Sequence, residues 1–373
     1  LTSRISSAKQ SIIAKENLPG LEKLGDSTIP FLSSGHERRT HMSSKKIGSQ
    51  SIAYANPPRI SSWASIVGPM EGEGPFGAEF DWVMEDYLFG EKSYDEAEGK
   101  MLREALRLAA RKQSLDDRAI EVVLAGDFLS QSKASNYAGR DLSVPFLGIY
   151  GACTTLAEGL ILGGMIMDGG FYSQVAVGAV SHYHTAERQF RLPIELGTVK
   201  PASAQWPVTG AGALVLRQEP GEPRIQAATI GKVVESDQAD INDLGSAVAP
   251  AAADTLITHF QDLGREPGYY DIIVTGDLGK LGSALMEELC ISAGYHLGDK
   301  YTDCGVIIYD KQQNMLAGGR GCGSSAAMVC GPYLNRIADG KIKRFLLVGT
   351  GAMIVHQGGP IPGIAHAIAI EAG

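Results

Sequence analysis

The chain has 373 residues, 44% hydrophobic and 20% charged, with 33 Lys and Arg against 42 Asp and Glu and a formal net charge of −9. That length exceeds the roughly 250–300 residues at which a single core stops growing, so two subdomains are expected. The acidic balance excludes a general nucleic-acid surface and a polybasic membrane anchor, so an anionic ligand would need a local cationic pocket.

Residues 1–41 are rich in Ser, Lys and Arg, lack hydrophobic periodicity and lack the continuous apolar core of a secretory signal. His41-Met42 resembles an engineered junction ahead of a natural start at Met42, so this head is expected to be disordered or appended. Two further domains are expected, an N-terminal half over residues 42–243 and a C-terminal half over residues 244–373.

From Ser51 the chain reads as a strand-like lead, followed by the loop GPMEGEGPFG. Asp81 to Phe89 and Asp95 to Lys112 read as helices, the second carrying the stripe Leu102, Ala105, Leu106, Ala109, Ala110. VVLAG then reads as a strand covered on both faces, the mark of a layered α/β body. The order then recurs. Asp127 closes VVLAGD and Asp277 closes IIVTGD; Cys153 heads one apolar segment in GACTT and Cys322 heads another in GGRGCGSS. The body is therefore read as a duplicated unit of helix, strand, connection, cysteine, helix and strand. Between the copies, VTGAGALVLRQ and PRIQAATIGKVV are expected to continue the first sheet.

LILGGMIM from Leu160 and FLLVGTGAMIV from Phe345 fall short of the ~18–20 apolar residues a spanning helix needs. Five cysteines, an odd number without paired short spacing, fit free thiols in a reducing compartment, with the cytosol as default. No GxGxxG follows a strand and opens a helix, and no Walker sequence is present, so no cofactor and no metal centre are expected.

Cys153 is placed where strand-like FLGIY gives way to a helix, and a helix N-terminus favours a thiolate or a bound anion. A small buried residue in a tight junction explains it equally well. SHYHTAERQFR gathers His182, His184, Arg188 and Arg191 beyond the carboxyl end of the strand QVAVGAV, where ligands of α/β sheets collect. It reads as an anion pocket, or residue by residue as a surface loop with ordinary pairs such as Glu187 with Arg191. Asp127 and Asp277 sit at matching strand ends and are expected to cap loop N–H groups rather than bind Ca²⁺. Asn136 and Arg140 either line the same cleft or lie on the surface.

GACTT opening a buried helix inside a duplicated α/β body resembles the thiolase superfamily, whose condensing members use a cysteine here as the acyl-carrying nucleophile. LAGDFLSQSKASNYAGRDLSVPFLGIYGACTT, SHYHTAERQFRLPIELG, GSAVAPAAADT, VTGDLGKLGS and TDCGVIIY resemble the stage V sporulation protein AD family, from about Ser51 to Ala372. The resemblance implies a thiolase-like fold, two α/β halves forming a five-layered αβαβα body, and a homodimer. It also implies binding of dipicolinic acid (pyridine-2,6-dicarboxylate), free or as its Ca²⁺ chelate, for uptake into the developing spore. The chain would then sit peripherally on the inner spore membrane, with the other SpoVA membrane proteins as partners. Where acyl-transferring relatives carry histidine motifs this chain reads Gly276-Asp277 and Gly321-Cys322. A binder without catalysis is therefore expected, with a cysteine-dependent acyltransferase as the alternative. The expected ligand contacts are His182 with Arg188 or Arg191; Cys153 and Cys322 form the floor, Asp127 and Asp277 the rim, with Asn136 nearby.

Overall fold

The computed structural model describes residues 45–116, 119–190, 199–352 and 359–372. The first copy runs β1 (Arg59–Val67), α1 (Tyr94–Arg111), β2 (Val122–Asp127), α2 (Lys133–Leu142), β3 (Phe146–Gly148), α3 (Thr155–Asp168), β4 (Gln174–Ser181), α4 (Tyr183–Phe190) and β5 (Gly210–Arg217). The second runs β6 (Arg224–Ile230), α5 (Leu244–Leu263), β7 (Ile272–Thr275), α6 (Gly279–Ser292), β8 (Tyr301–Asp303), α7 (Cys322–Met328), β9 (Arg344–Ala352) and β10 (Pro362–Glu371).

Strand order makes the duplication explicit. The first sheet is ordered β1-β5-β4-β2-β3 and the second β6-β10-β9-β7-β8, with the same parallel and antiparallel neighbours in each. PRIQAATIGKVV departs from expectation. Its strand β6 pairs with β10 from Arg224↔Glu371 to Ile230↔His366 and meets β1 only at Arg224↔Arg59, so it opens the second sheet. Burial pattern alone cannot name a strand's partner; here the C-terminal strand supplies the long antiparallel ladder.

α1 packs outside the first sheet and α5 outside the second, while α3 touches strands of both sheets from between them. α7 lies beside α3 against the first sheet, and its continuation reaches the second through Tyr333 and Phe345, whose ring centroids are 5.1 Å apart. The layers are therefore αβαβα. The middle core holds Leu156, Leu160, Val177, Val274, Ala326 and Leu347, and two separate cores fill the spaces under α1 and α5.

Local chemistry explains the elements. The Ser93 side chain accepts the Glu96 N–H at the start of α1, Asp95 and Glu96 occupy the first turn, and the predicted apolar stripe is buried. Asp81 to Phe89, expected as a helix, is instead a short strand, Trp82–Val83, and turns. Pairing with Ile66 and Val67 captures Trp82 and Val83 before a helix can start. The layers meet closely at Gly212, where a Cβ would stand 2.0 Å from the Ala326 carbonyl oxygen. All five cysteines are free and buried.

Candidate functional site

The chain leaves β3 at Gly148 and reaches α3 through a turn in which Ala152 adopts φ 52°, a left-handed conformation costing a non-glycine residue about 1–2 kcal/mol. Two donors hold this turn: the Thr155 hydroxyl, 2.6 Å from the Ala152 carbonyl oxygen, and the Cys322 thiol, 2.9 Å from it. Cys153 follows directly, just ahead of α3. The cysteines that head the two middle-layer helices are thus joined across the pseudo-repeat through one backbone carbonyl.

Asp277 reaches the same point from the second sheet. Its carboxylate accepts the Gly321 N–H at 2.8 Å and the Thr350 hydroxyl at 2.7 Å, while Gln205 donates to its backbone carbonyl at 2.7 Å. Gly321 can present its N–H because its φ is 105°, and a Cβ there would stand 2.8 Å from the Ser181 hydroxyl. The charge of the carboxylate also acts on the Cys153 thiol.

These surroundings keep the sulfur protonated. Burial pushes the Cys153 thiol well above the usual range, and the neighbouring Asp277 charge and Cys322 push it further. Burial likewise raises Cys322 and Asp277, while the hydrogen bonds from Gly321 and Thr350 hold Asp277 back. The thiolate that a helix N-terminus would favour is outweighed by desolvation and a like charge.

The cation of the site is Arg320. It is half-buried, its charge interacts with Cys153, Glu187 and Asp277, and its Cζ lies 5.9 Å from the centre of the Phe128 ring. Its Nε is buried and has no hydrogen-bond partner among the described residues. Parallel pairing of Gly319–Arg320 with Trp206–Pro207 fixes its backbone. Tyr150 is partly exposed beside the cysteines, its hydroxyl pKa pushed up to about 12 by burial and by their proximity. An arginine flanked by glycines directly before a buried helix was the available signal for Arg320, and sequence reasoning passed over it. Nothing local marked Thr350 or Gln205.

The predicted site residues divide. Cys153, Cys322 and Asp277 come together, all three buried. Asp127 is fully buried and accepts the Leu129 and Ser135 N–H groups at 2.8 and 2.6 Å, so it caps, as its position suggested, and forms no rim. Asn136 is exposed on α2, where its amide donates to the Gln131 carbonyl, and Arg140 is exposed and paired with Asp141. His182 is fully buried; its Nε2 bonds the Tyr87 carbonyl at 2.8 Å, its Nδ1 accepts the His184 N–H, and burial lowers its pKa to about 4. Arg188 lies on the exposed face of α4, 3.4 Å from Asp95. Arg191 and His356 lie outside the described residues. Of the expected His/Arg pocket, the start of α4 turns His182 inward and Arg188 outward. Of the second-copy histidines, His259 bonds Thr229 and Tyr270, His366 accepts the Gly231 N–H, and His296 is exposed.

Duplicated halves with a cysteine at the head of the middle-layer helix define a thiolase-like protein. The structure is similar to 3-oxoacyl-[acyl-carrier-protein] synthase III from Aquifex aeolicus VF5, with a TM-score of 0.53 and 12% identity over 84% of this chain and 99% of that one. It is also similar to a single-residue variant of OleA from Xanthomonas campestris, with a TM-score of 0.56 and 14% identity over 86% of this chain and 99% of that one. Identities this low carry the fold alone. Residues 48–371 match the stage V sporulation protein AD (SpoVAD) family. Stage V sporulation protein AD of Bacillus subtilis (strain 168) is 40% identical over 331 residues, 88% of this chain and 98% of that protein. The chain belongs to the stage V sporulation protein AD family.

Proposed function

We propose that this chain is a non-catalytic receptor for dipicolinate, free or as its Ca²⁺ chelate, acting in uptake of that ligand into the developing spore. The observation that carries the reading is Arg320: a guanidinium whose charge interacts with Cys153 and Asp277 and whose buried Nε has no partner among the described residues. A planar carboxylate matches that fork, and the Phe128 ring beside it suits a flat heteroaromatic body. Cys153, protonated and faced by Asp277, is a poor nucleophile, which favours binding over acyl transfer.

Among the described residues no helix is long and apolar enough to cross a membrane, so association with the spore membrane would run through its membrane-protein partners. The edge strand β3, with Leu147 and Tyr150 exposed, supports a homodimer joined along that edge. Calorimetric titration of the full chain with dipicolinate, with and without Ca²⁺, tests the receptor: saturable heat is expected. Mass spectrometry after incubation with acyl-CoA tests the alternative, since an acyl adduct on Cys153 would replace the receptor by an acyltransferase.

A further inference from the structure

We infer that Gln205 is a positioning residue: it holds Arg320 in a fixed relation to Asp277 and so sets how well the cleft takes a flat, forked carboxylate. Its effect on ligand affinity rests on the receptor reading; its effect on Arg320 does not.

Gln205 is buried in the connection between α4 and β5. Its amide nitrogen donates to the Asp277 carbonyl at 2.7 Å and to the Gly319 carbonyl at 2.9 Å, groups 72 and 114 residues away. On the other side of the arginine, the Gly321 N–H donates to the Asp277 carboxylate at 2.8 Å. The tripeptide Gly319-Arg320-Gly321 is therefore tied to Asp277 at both ends, through Gln205 before the arginine and directly after it. Asp277 is itself fixed, since its carboxylate accepts the Thr350 hydroxyl at 2.7 Å and its N–H donates to the Thr350 oxygen at 3.1 Å. The Arg320 Nε has no hydrogen-bond partner among the described residues, so the guanidinium takes its aim from the backbone that carries it.

Attachment of the connection does not call for this amide. The Trp206 N–H donates to the Gly318 carbonyl at 2.7 Å, the Val208 N–H to the Arg320 carbonyl at 2.8 Å, and the Ala317 N–H to the Ala204 carbonyl at 3.0 Å. Backbone pairing thus joins the two segments already; what Gln205 adds is the link to Asp277. Room for that link comes from Gly279, whose φ is 64° and where a Cβ would stand 2.9 Å from the amide nitrogen. An apolar side chain of the same length would fill the space and leave both carbonyls without this donor.

The test uses the full chain carrying Gln205→Met, which keeps the length and removes both donors. Gln205→Asn, one methylene shorter, decides the matter if the first variant fails to melt cooperatively. Phenylglyoxal modification read by peptide mass spectrometry needs no ligand. Arg320 is expected to react at least about fivefold faster in the variant, while Arg103, held by Glu104 and Asp141, changes less than about twofold. In calorimetry the variant should bind dipicolinate at least about fivefold more weakly. With Arg320→Lys already present the further loss should stay below about twofold, because the effect runs through the guanidinium. Gln50→Met, which removes a remote amide bond to Thr258, is expected to leave both readings within about twofold. An unchanged Arg320 rate, equal acceleration at Arg103, or additive losses in the double variant would overturn the inference. A chain that binds no dipicolinate before substitution ends the receptor reading alone, and the Arg320 rate then decides the role of Gln205.

Discussion

The Asp277 carboxylate faces the Cys153 thiol, so the residue the second half sends to the sulfur bears the same charge as the thiolate would. A histidine there would accept the thiol proton and become a stabilising cation; an aspartate next to a buried thiolate would be a repelling anion. The pair therefore disfavours the thiolate form of Cys153.

Replacing Asp277 by Asn removes that charge, while its amide oxygen still accepts one of the two hydrogen bonds. Alkylation of Cys153 by iodoacetamide, followed by peptide mass spectrometry, is expected to be negligible near neutral pH in the unmodified chain. In the variant it should begin at a pH about one unit lower. Identical pH profiles would show that burial alone governs the thiol.

Arg320→Lys keeps a cation but loses the fork, and is expected to weaken dipicolinate binding about tenfold or more in calorimetry. Arg188→Ala removes an exposed partner of Asp95 and should leave the affinity within about twofold. The reverse ranking would return the ligand to α4.

Glu71 provides a stability signature. It is buried, accepts the Thr209 N–H and the Tyr309 hydroxyl on one oxygen, and has no partner among the described residues for the other. Burial raises its pKa from 4.5 to about 7. A folded-state pKa above the unfolded one contributes stability that is complete below the unfolded value and is lost as pH rises through about 7. Glu71→Gln mimics the protonated acid, so its stability advantage over the unmodified chain in chemical denaturation should grow between pH 5 and 8, up to about 3 kcal/mol. A difference independent of pH would mean that Glu71 does not titrate in this range.

Gly212→Ala would drive a methyl into the Ala326 carbonyl oxygen, 2.0 Å away, at the closest approach of α7 to the first sheet. A loss of at least about 2 kcal/mol is expected in chemical denaturation. Full stability would show that the layers can move apart.

Leu147→Glu places a charge on the free edge of β3 and is expected to shift the chain from dimer to monomer in analytical ultracentrifugation, with the melting curve of the monomer retained. A monomer before the substitution would end the dimer reading.

Repetition carried much of the architecture. Matching strand-end aspartates, matching cysteines and the apolar stripe of α1 are local patterns, and each depends on neighbours in sequence. Equivalent positions did not guarantee equivalent partners: Asp127 bonds N–H groups within eight residues of itself, whereas Asp277 reaches Gly321 and Thr350, 44 and 73 residues away. The same distinction separates His182 from Arg188: closeness along a chain that coils into a helix is not convergence in space, and His182 is buried while Arg188 is exposed.

A duplicated, layered α/β body with a thiol at its midpoint was written in the residues, since periodicity and helix signals act over a few positions and survive without tertiary context. Which strand closed the second sheet, which side chain met the Cys153 sulfur and which arginine faced the cleft came only with folding. Each of these rests on contacts between segments tens to hundreds of residues apart, and burial then raised the pKa of the thiol.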